Sequence, residues 1–488
     1  PSPSTQNCGS NSRTRSSACT GTRTCTRCSS TKTRDRKMSP DGKPSSPERT
    51  RRGFVPRSFR YGHSELELLL PEHTTFFEPS FPKSSLPNAE VVRNSWENPT
   101  SGDPLLTAIR NRRSGNVVIV VSDITRPIPY HTFLPQLINT LLNAGVPQNE
   151  IRLLVATGMH RPSRPDEHVT MFGAEIANSL HIEDHRAEDP TALKETGEQS
   201  HSGNPITLNR SYCDAGFRLV TGLVEPHFMA GFSGGRKAIC PGLASLATVR
   251  NFHGYPFLAN PLALNANLAG NPLHQESLSV AKAVPPDFTI NVVLDASRRL
   301  SAAFSGELEH SHAAACNFVR QHACPQIHQP FDAVITSSGG APLDLTFYQC
   351  VKGFVSALPA VRLGGRILAF GDASEGVGSP EYEEVMLRFS HNWRAFLDEI
   401  QRPGIFTKDQ WQFQMHARTL AKIGPENLLF FSHGIAPDTL QRLSVNARPS
   451  APASVAASIQ SEIDALSASG ASIAAFPEGP YCVPVANS

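Results

Sequence analysis

Val117-Val-Ile-Val-Val-Ser-Asp-Ile-Thr-Arg-Pro127 is a run of five β-branched apolar residues that passes directly into a polar loop. Apolar at every position and too short for an ordinary helix, the run reads as a strand buried on both faces. From Tyr130 to Ala144 apolar residues recur at helical spacing, and Ile151-Arg-Leu-Leu-Val155 is a second short apolar run. Strand, helix, strand in that order is the parallel βαβ unit.

The same grammar continues outward. Phe217–Val220, Phe331–Ile335, Arg366–Phe370, Asn427–Phe431 and Ser472–Phe476 read as further buried strands, and Val455–Ala468 as another amphipathic helix. The fold class expected is α/β: two α/β domains with largely parallel sheets and an active site in the cleft between them. The N-terminal α/β domain is expected over 57–326 and the C-terminal α/β domain over 327–465. The proline-bracketed stretch Pro325-Gln-Ile-His-Gln-Pro330 marks the boundary. Residues 466–488 are expected to return to the first domain.

Residues 1–56 differ in kind. They are rich in Ser, Thr, Arg and Pro and nearly lack large apolar side chains, so they are expected to be a disordered basic extension. Residues 1–60 hold 14 Lys/Arg against 3 Asp/Glu, whereas the rest hold 31 against 40. The net charge of +2 therefore hides a mildly acidic body, which gives no case for a nucleic-acid surface. The extension has the look of a transit peptide or of sequence ahead of the true start, Met38 being the first methionine. Cys25-x-x-Cys28 lacks the second pair that a zinc site needs. No membrane span or secretory signal is evident, and the scattered cysteines suit a reducing, cytoplasmic setting.

The loop after each strand is the informative feature. The first run leads into Asp123-Ile124-Thr125-Arg126, the second into Thr157-Gly-Met-His160-Arg161, and the third into Glu225-Pro-His227. Phe331–Ile335 leads into Ser337-Ser-Gly-Gly340. Ligands of open α/β sheets bind at the carboxyl ends of strands, so these loops suggest one shared site. Each residue also has a plainer reading. Asp123 could cap its own turn, Arg126 could pair at the surface, and either histidine could be a hydrogen-bonded structural ring.

Gly231-Phe-Ser233-Gly-Gly-Arg-Lys237 is the richest segment. Gly231-x-Ser233-x-Gly235 has the nucleophile-elbow pattern but no strand running into the serine. Arg236 and Ala238 break the phosphate-loop pattern. A Gly-rich turn remains, able to bring backbone close to an anionic ligand, with Lys237 at its end. His253 suits a metal whose other ligands come from a cofactor, or a helix-terminal histidine. Gln349 and Lys352, at i and i+3, share one helix face and could hold a carboxylate or simply face solvent.

Asp123-x-Thr125-Arg126-Pro127, Thr157-Gly-x-His160-Arg161, Pro226-His227 through Lys237, His253 and Tyr348-Gln349-x-x-Lys352 occur in the order and spacing of the nickel-dependent lactate racemase family. The chain resembles that family from roughly Tyr61 to Pro484, and the extension has no counterpart. The resemblance implies an isomerase that racemizes or epimerizes a 2-hydroxy acid at C2, lactate or a related acid. It would pass hydride reversibly to a nickel pincer nucleotide, through a 2-keto acid. It implies nickel(II) as a pyridinium-3,5-bisthiocarboxylic acid mononucleotide complex attached covalently to Lys237, with His253 as the protein's nickel ligand. His160 and His227 would be the acid–base pair. Asp123, Ile124, Thr125 and Arg126 would contact the nucleotide. Arg126, Gln349, Lys352 and Trp411 would contact the substrate. Maturation would need cofactor-biosynthesis proteins. A serine hydrolase using Ser233 and a non-catalytic binding homologue are the alternatives.

Overall fold

The computed structural model describes residues 51–486. The greater part of the basic extension, with Cys25 and Cys28, lies outside them.

Two six-stranded sheets organise the described chain. The first runs, in spatial order, Leu300–Gly306, Phe288–Leu294, Phe217–Leu223, Val117–Ser122, Ile151–Ala156 and His181–Asp184, parallel throughout except at the Leu300–Gly306 edge. The second runs Asn446–Pro449, Leu428–Ser432, Val361–Phe370, Phe331–Ser337, Ile473–Phe476 and Thr75–Phe76, all parallel. The α/β class and its parallel sheets are thus as the strand–helix alternation requires.

Val117–Val121 shows why the first sheet forms. All five residues are fully buried. Val117, Ile119 and Val121 enter a core with the Tyr130–Asn143 helix, while Val118 and Val120 enter another with Phe228, Phe252 and Leu273. Each fully buried valine contributes about 1.5 kcal/mol or more of transfer free energy, and no register shift could keep both faces dry. The core behind the first sheet is continuous with that around Phe347, Phe354 and Trp411 of the second lobe.

The chain enters through a hairpin, Phe54–Tyr61 against Ser64–Pro71, whose Phe59, Leu68 and Leu70 pack on the second sheet. Phe54–Pro56 belong to this hairpin, so its first strand begins slightly ahead of the expected Arg57. The first strand is masked in the sequence by alternating Arg and Ser, because only one of its faces is buried. Phe288–Leu294, which the apolar runs did not announce, carries buried Thr289 and Asn291, whose side chains hydrogen-bond Ser311. Near the C-terminus, Ile473–Phe476 lies inside the second sheet, while Val485–Ala486 pairs with Gln326–Ile327.

Candidate active site

The Asp123 loop is fixed from below. The Ser122 amide donates to the Tyr130 hydroxyl at 2.7 Å, and that hydroxyl meets Thr221 at 2.8 Å. Asp123 then does two things. Its Oδ1 accepts from the Thr125 amide and hydroxyl at 3.2 and 2.5 Å, closing its own turn. Its Oδ2 lies 2.6 Å from His160 Nδ1. The capping reading and the site reading of Asp123 are therefore both satisfied, by different oxygens.

Burial pushes the Asp123 carboxyl up, but hydrogen bonds from His160 and Thr125 and the nearby Arg126 outweigh it and hold it below its ordinary value. A carboxylate accepts only, so Nδ1 of His160 carries the proton and Nε2 keeps its lone pair. The ring is largely exposed, with 57 % of its side-chain surface accessible. His160 is thus an exposed imidazole oriented through Nδ1, with its lone pair on Nε2.

His227 is held the other way round. Its Nδ1 accepts from the Met229 and Ala230 amides at 3.3 and 3.2 Å, and its Nε2 lies 3.1 Å from Lys237 Nζ. Burial, with the basic groups of Lys237, Lys352 and Arg126 close by, drives its pKa well below the ordinary value. Lys237 is pushed well below its own by burial, Arg126, Arg236 and Lys352.

His253 caps the Leu246–Phe252 helix at its C-terminus. Its Nδ1 donates to the Val249 carbonyl at 3.2 Å, which leaves Nε2 as the lone-pair nitrogen. Burial, with Lys237 nearby, brings its pKa to about 3, so the ring is neutral. The ring stacks on Trp411 at 4.5 Å between centroids, and Lys237 Nζ stands 5.6 Å over the adjacent Phe252 ring.

The second lobe supplies the remaining wall. Thr346 caps the Phe347–Ala357 helix, which carries Tyr348, Gln349 and Lys352. Tyr348 accepts a 2.9 Å hydrogen bond from Trp411 Nε1. Gln349 Oε1 is buried without a partner among the described residues. Lys352 Nζ stands 5.9 Å over the Phe228 ring, bringing it beside His227. Its pKa falls to about 7 through burial and Arg126.

Lys237, His227, His253, Lys352 and Trp411 are therefore drawn together by direct contacts or shared neighbours. Arg126 is near enough to lower the pKa of Lys237, His227 and Lys352. Thr125 orients Asp123, and Ile124 is an exposed residue of the same loop.

The glycines of the Lys237 turn answer to neighbouring protein atoms, and the Gly235 amide donates to Asn291 Oδ1 at 2.9 Å. A Cβ on Gly234 would lie 2.6 Å from Val224, and one on Gly235 would lie 2.7 Å from His312, both at positive φ. These glycines let the Lys237 turn pack against strand and helix. A Cβ on Gly339 or Gly340 would likewise press on Tyr481 or Arg60. The Ser233 hydroxyl donates to the Leu223 carbonyl and accepts from the Glu225 amide, both within 2.9 Å. Among the described residues no base is set to activate it, so the hydrolase alternative has no geometry behind it.

Arg236 escaped the sequence reading of the site. It is fully buried with no carboxylate partner among the described residues, donating to the Ala230 carbonyl and to His312 at 2.8 and 2.9 Å. The only sequence signal was an arginine inside an otherwise small and apolar segment.

The family model for the lactate racemase N-terminal domain matches residues 61–265, and that for the lactate racemase C-terminal domain matches 327–480. A lactate racemase of Lactiplantibacillus plantarum is 35% identical over 363 residues, 74% of this chain and 83% of that protein. One of Thermoanaerobacterium thermosaccharolyticum is 32% identical over 366 residues, 74% and 84% of the two chains. The solved lactate racemase apoprotein from Thermoanaerobacterium thermosaccharolyticum superposes with a TM-score of 0.79 at 27% identity, covering 88% of this chain and all of that one. A Thermotoga maritima protein, at TM-score 0.59 and 17% identity over 78% of this chain and 96% of its own, shares the fold. On the matched domains and on relatives of this identity and coverage, the chain belongs to the lactate racemase family and is an isomerase.

Proposed function

We propose that this protein interconverts the two configurations at C2 of a small 2-hydroxy acid, with lactate as the first substrate to try. The carrying observation is the arrangement around Lys237: a partly buried amine 3.1 Å from one imidazole, beside a second whose lone pair is free.

Those residues fit a nickel pincer nucleotide. Among the described residues no group of three or more His, Cys, Asp or Glu could hold a metal ion. A metal here would have to arrive in an organic ligand, with His253 Nε2 completing its shell. The Val249 carbonyl behind Nδ1 is the outer partner that ligating imidazoles commonly have. Lys237, held neutral, can form a covalent amide-type link to the cofactor. Arg126, Arg236 and Lys352 offer positive charge to a phosphorylated, carboxylate-derived group. When bound, the cofactor supplies the acceptor for the hydrogen leaving C2 as hydride.

The chain's own residues handle the oxygen and the carboxylate. Removing a proton from C2 beside a carboxylate would stack negative charge. Taking the hydroxyl proton instead needs only an imidazole at hydrogen-bond distance. His160 Nε2, backed by the Asp123 carboxylate, is that base for one enantiomer. His227 would serve the other, since the hydroxyl points differently in each, and this requires its ring to leave the Met229 and Ala230 amides once Lys237 is tethered. Arg126 can grip the substrate carboxylate through two parallel hydrogen bonds. Gln349 and Lys352 complete the carboxylate site, and Trp411 closes it.

Maturation is expected to require proteins that build the cofactor. Among the described residues no helix is long and apolar enough to cross a membrane, and a cytoplasmic location is the working proposal. The deciding experiment is intact mass and nickel content of the protein from a cofactor-making host, with a chiral assay on each lactate enantiomer. An adduct on Lys237 and conversion in both directions are expected; nickel-loaded protein that converts no hydroxy acid overturns the reading.

A further inference from the structure

We propose that His227, pinned by two backbone amides, holds the Lys237 side chain as a free amine ready for attachment of the cofactor. The inference rests on Lys237 being the tether, and it gives His227 a task that precedes turnover.

Donors and acceptors decide the protonation states. Backbone amides can only donate, and both the Met229 and Ala230 amides point at Nδ1 of His227. Nδ1 must therefore present its lone pair, which places the proton of the neutral ring on Nε2. That nitrogen lies 3.1 Å from Lys237 Nζ. An ammonium there would set donor against donor, whereas a neutral amine accepts the Nε2 proton. The other tautomer would welcome an ammonium but would turn Nδ1–H against two amides. In this arrangement, before the cofactor is attached, protonating the ring fails for the same reason. The turn at 228–230 thus dictates, through one imidazole, which form of Lys237 is comfortable.

The surroundings agree. Arg236 is a buried cation without a carboxylate partner among the described residues, and Arg126 and Lys352 add charge of the same sign. No acidic side chain contacts Nζ among the hydrogen bonds and ion pairs of the described residues. A free amine is the form in which a lysine attacks an acyl carbon. His227 is in this task a positioning residue, acting through Lys237.

Trace acetylation of the apoprotein by acetic anhydride across a pH series reads the state of this amine directly. The Nζ–C bond forms, acetate leaves, and the amine proton passes to solvent. Peptide mass spectrometry then gives the fraction acetylated at Lys237, with exposed Lys194 as internal standard. Wild-type Lys237 is expected to become reactive at lower pH than Lys194. His227→Ala is expected to raise the Lys237 midpoint by about one unit, or about tenfold less acetyl-Lys237 at neutral pH. His227→Gln, which keeps an N–H toward Nζ, is expected to preserve most of the reactivity. Equal titration in wild type and His227→Ala, or a Gln variant no better than Ala, overturns the proposal.

Nitrogen-15 spectra of histidine-labelled wild-type apoprotein need no variant to fold. A proton on Nε2 of His227 is expected, and one on Nδ1 overturns the proposal. Cofactor attachment is read separately: if a cofactor-making host leaves wild-type Lys237 unmodified, the tether reading fails while the acetylation result stands.

Discussion

His160 Nδ1 and Asp123 Oδ2 lie 2.6 Å apart although the loops that carry them follow different strands of the first sheet. The carboxylate fixes which nitrogen of His160 holds the proton and, in the proposed mechanism, would stabilise the imidazolium formed when Nε2 takes a second one. Asp123→Asn keeps the shape, but its amide can turn an N–H toward Nδ1 and favour the wrong tautomer. The variant should lose about a hundredfold or more in kcat while still acquiring the mass adduct on Lys237. A full-rate Asn variant would separate His160 from proton transfer.

Lys237→Ala and His160→Ala should fail at different stages. The lysine variant should carry no adduct and show no activity. The histidine variant should carry the adduct and stop turning over. Intact mass alongside a chiral assay separates the two, and a fully active Lys237→Ala enzyme would remove the tether.

Lys352 gives a pH dependence with a definite sign. Its pKa is depressed to about 7, so the ammonium is present below that value and lost above it. An anionic substrate should bind progressively more weakly as pH rises through about 7, seen as an increasing KM. Lys352→Arg keeps its charge and should flatten the rise.

His185 makes the fold sensitive to acid. The ring is fully buried between the Ala244 carbonyl at 3.0 Å and the Asn209 amide at 3.4 Å, and burial lowers its pKa to about 4. The unfolded chain binds this proton near pH 6.5, so between there and about 4 it holds more protons than the native state. Stability is complete above that window and falls as pH descends through it, by on the order of 1 kcal/mol per unit from this ring. Urea midpoints at a series of pH values should show the slope, and His185→Gln should reduce it.

Much of this was legible in the chain because burial on both faces leaves an unmistakable run. Val117–Val121 and Leu428–Phe431 could hardly be anything but central strands. The hairpin beginning at Phe54 was harder to see, since its outer face is written in arginine and serine. Phe288–Leu294 hid behind Thr289 and Asn291, polar residues that a sequence places outside but Ser311 satisfies inside. Order and spacing of His160, His227, Lys237 and His253 pointed to a shared site. Which nitrogen each ring protonates depends on the Met229, Ala230 and Val249 backbone groups, and no side-chain pattern records those. The glycines misled in the opposite sense, being required by neighbouring protein atoms.

The stack of His253 on Trp411 joins a ring from the first lobe to one from the second. Neither half of the chain, expressed apart from the other, would own a whole pocket. The same indole is a built-in optical probe, one of three tryptophans in the sequence. Emission recorded during cofactor uptake, with Trp96 and Trp393 changed to phenylalanine, would follow the closing of that seam in real time.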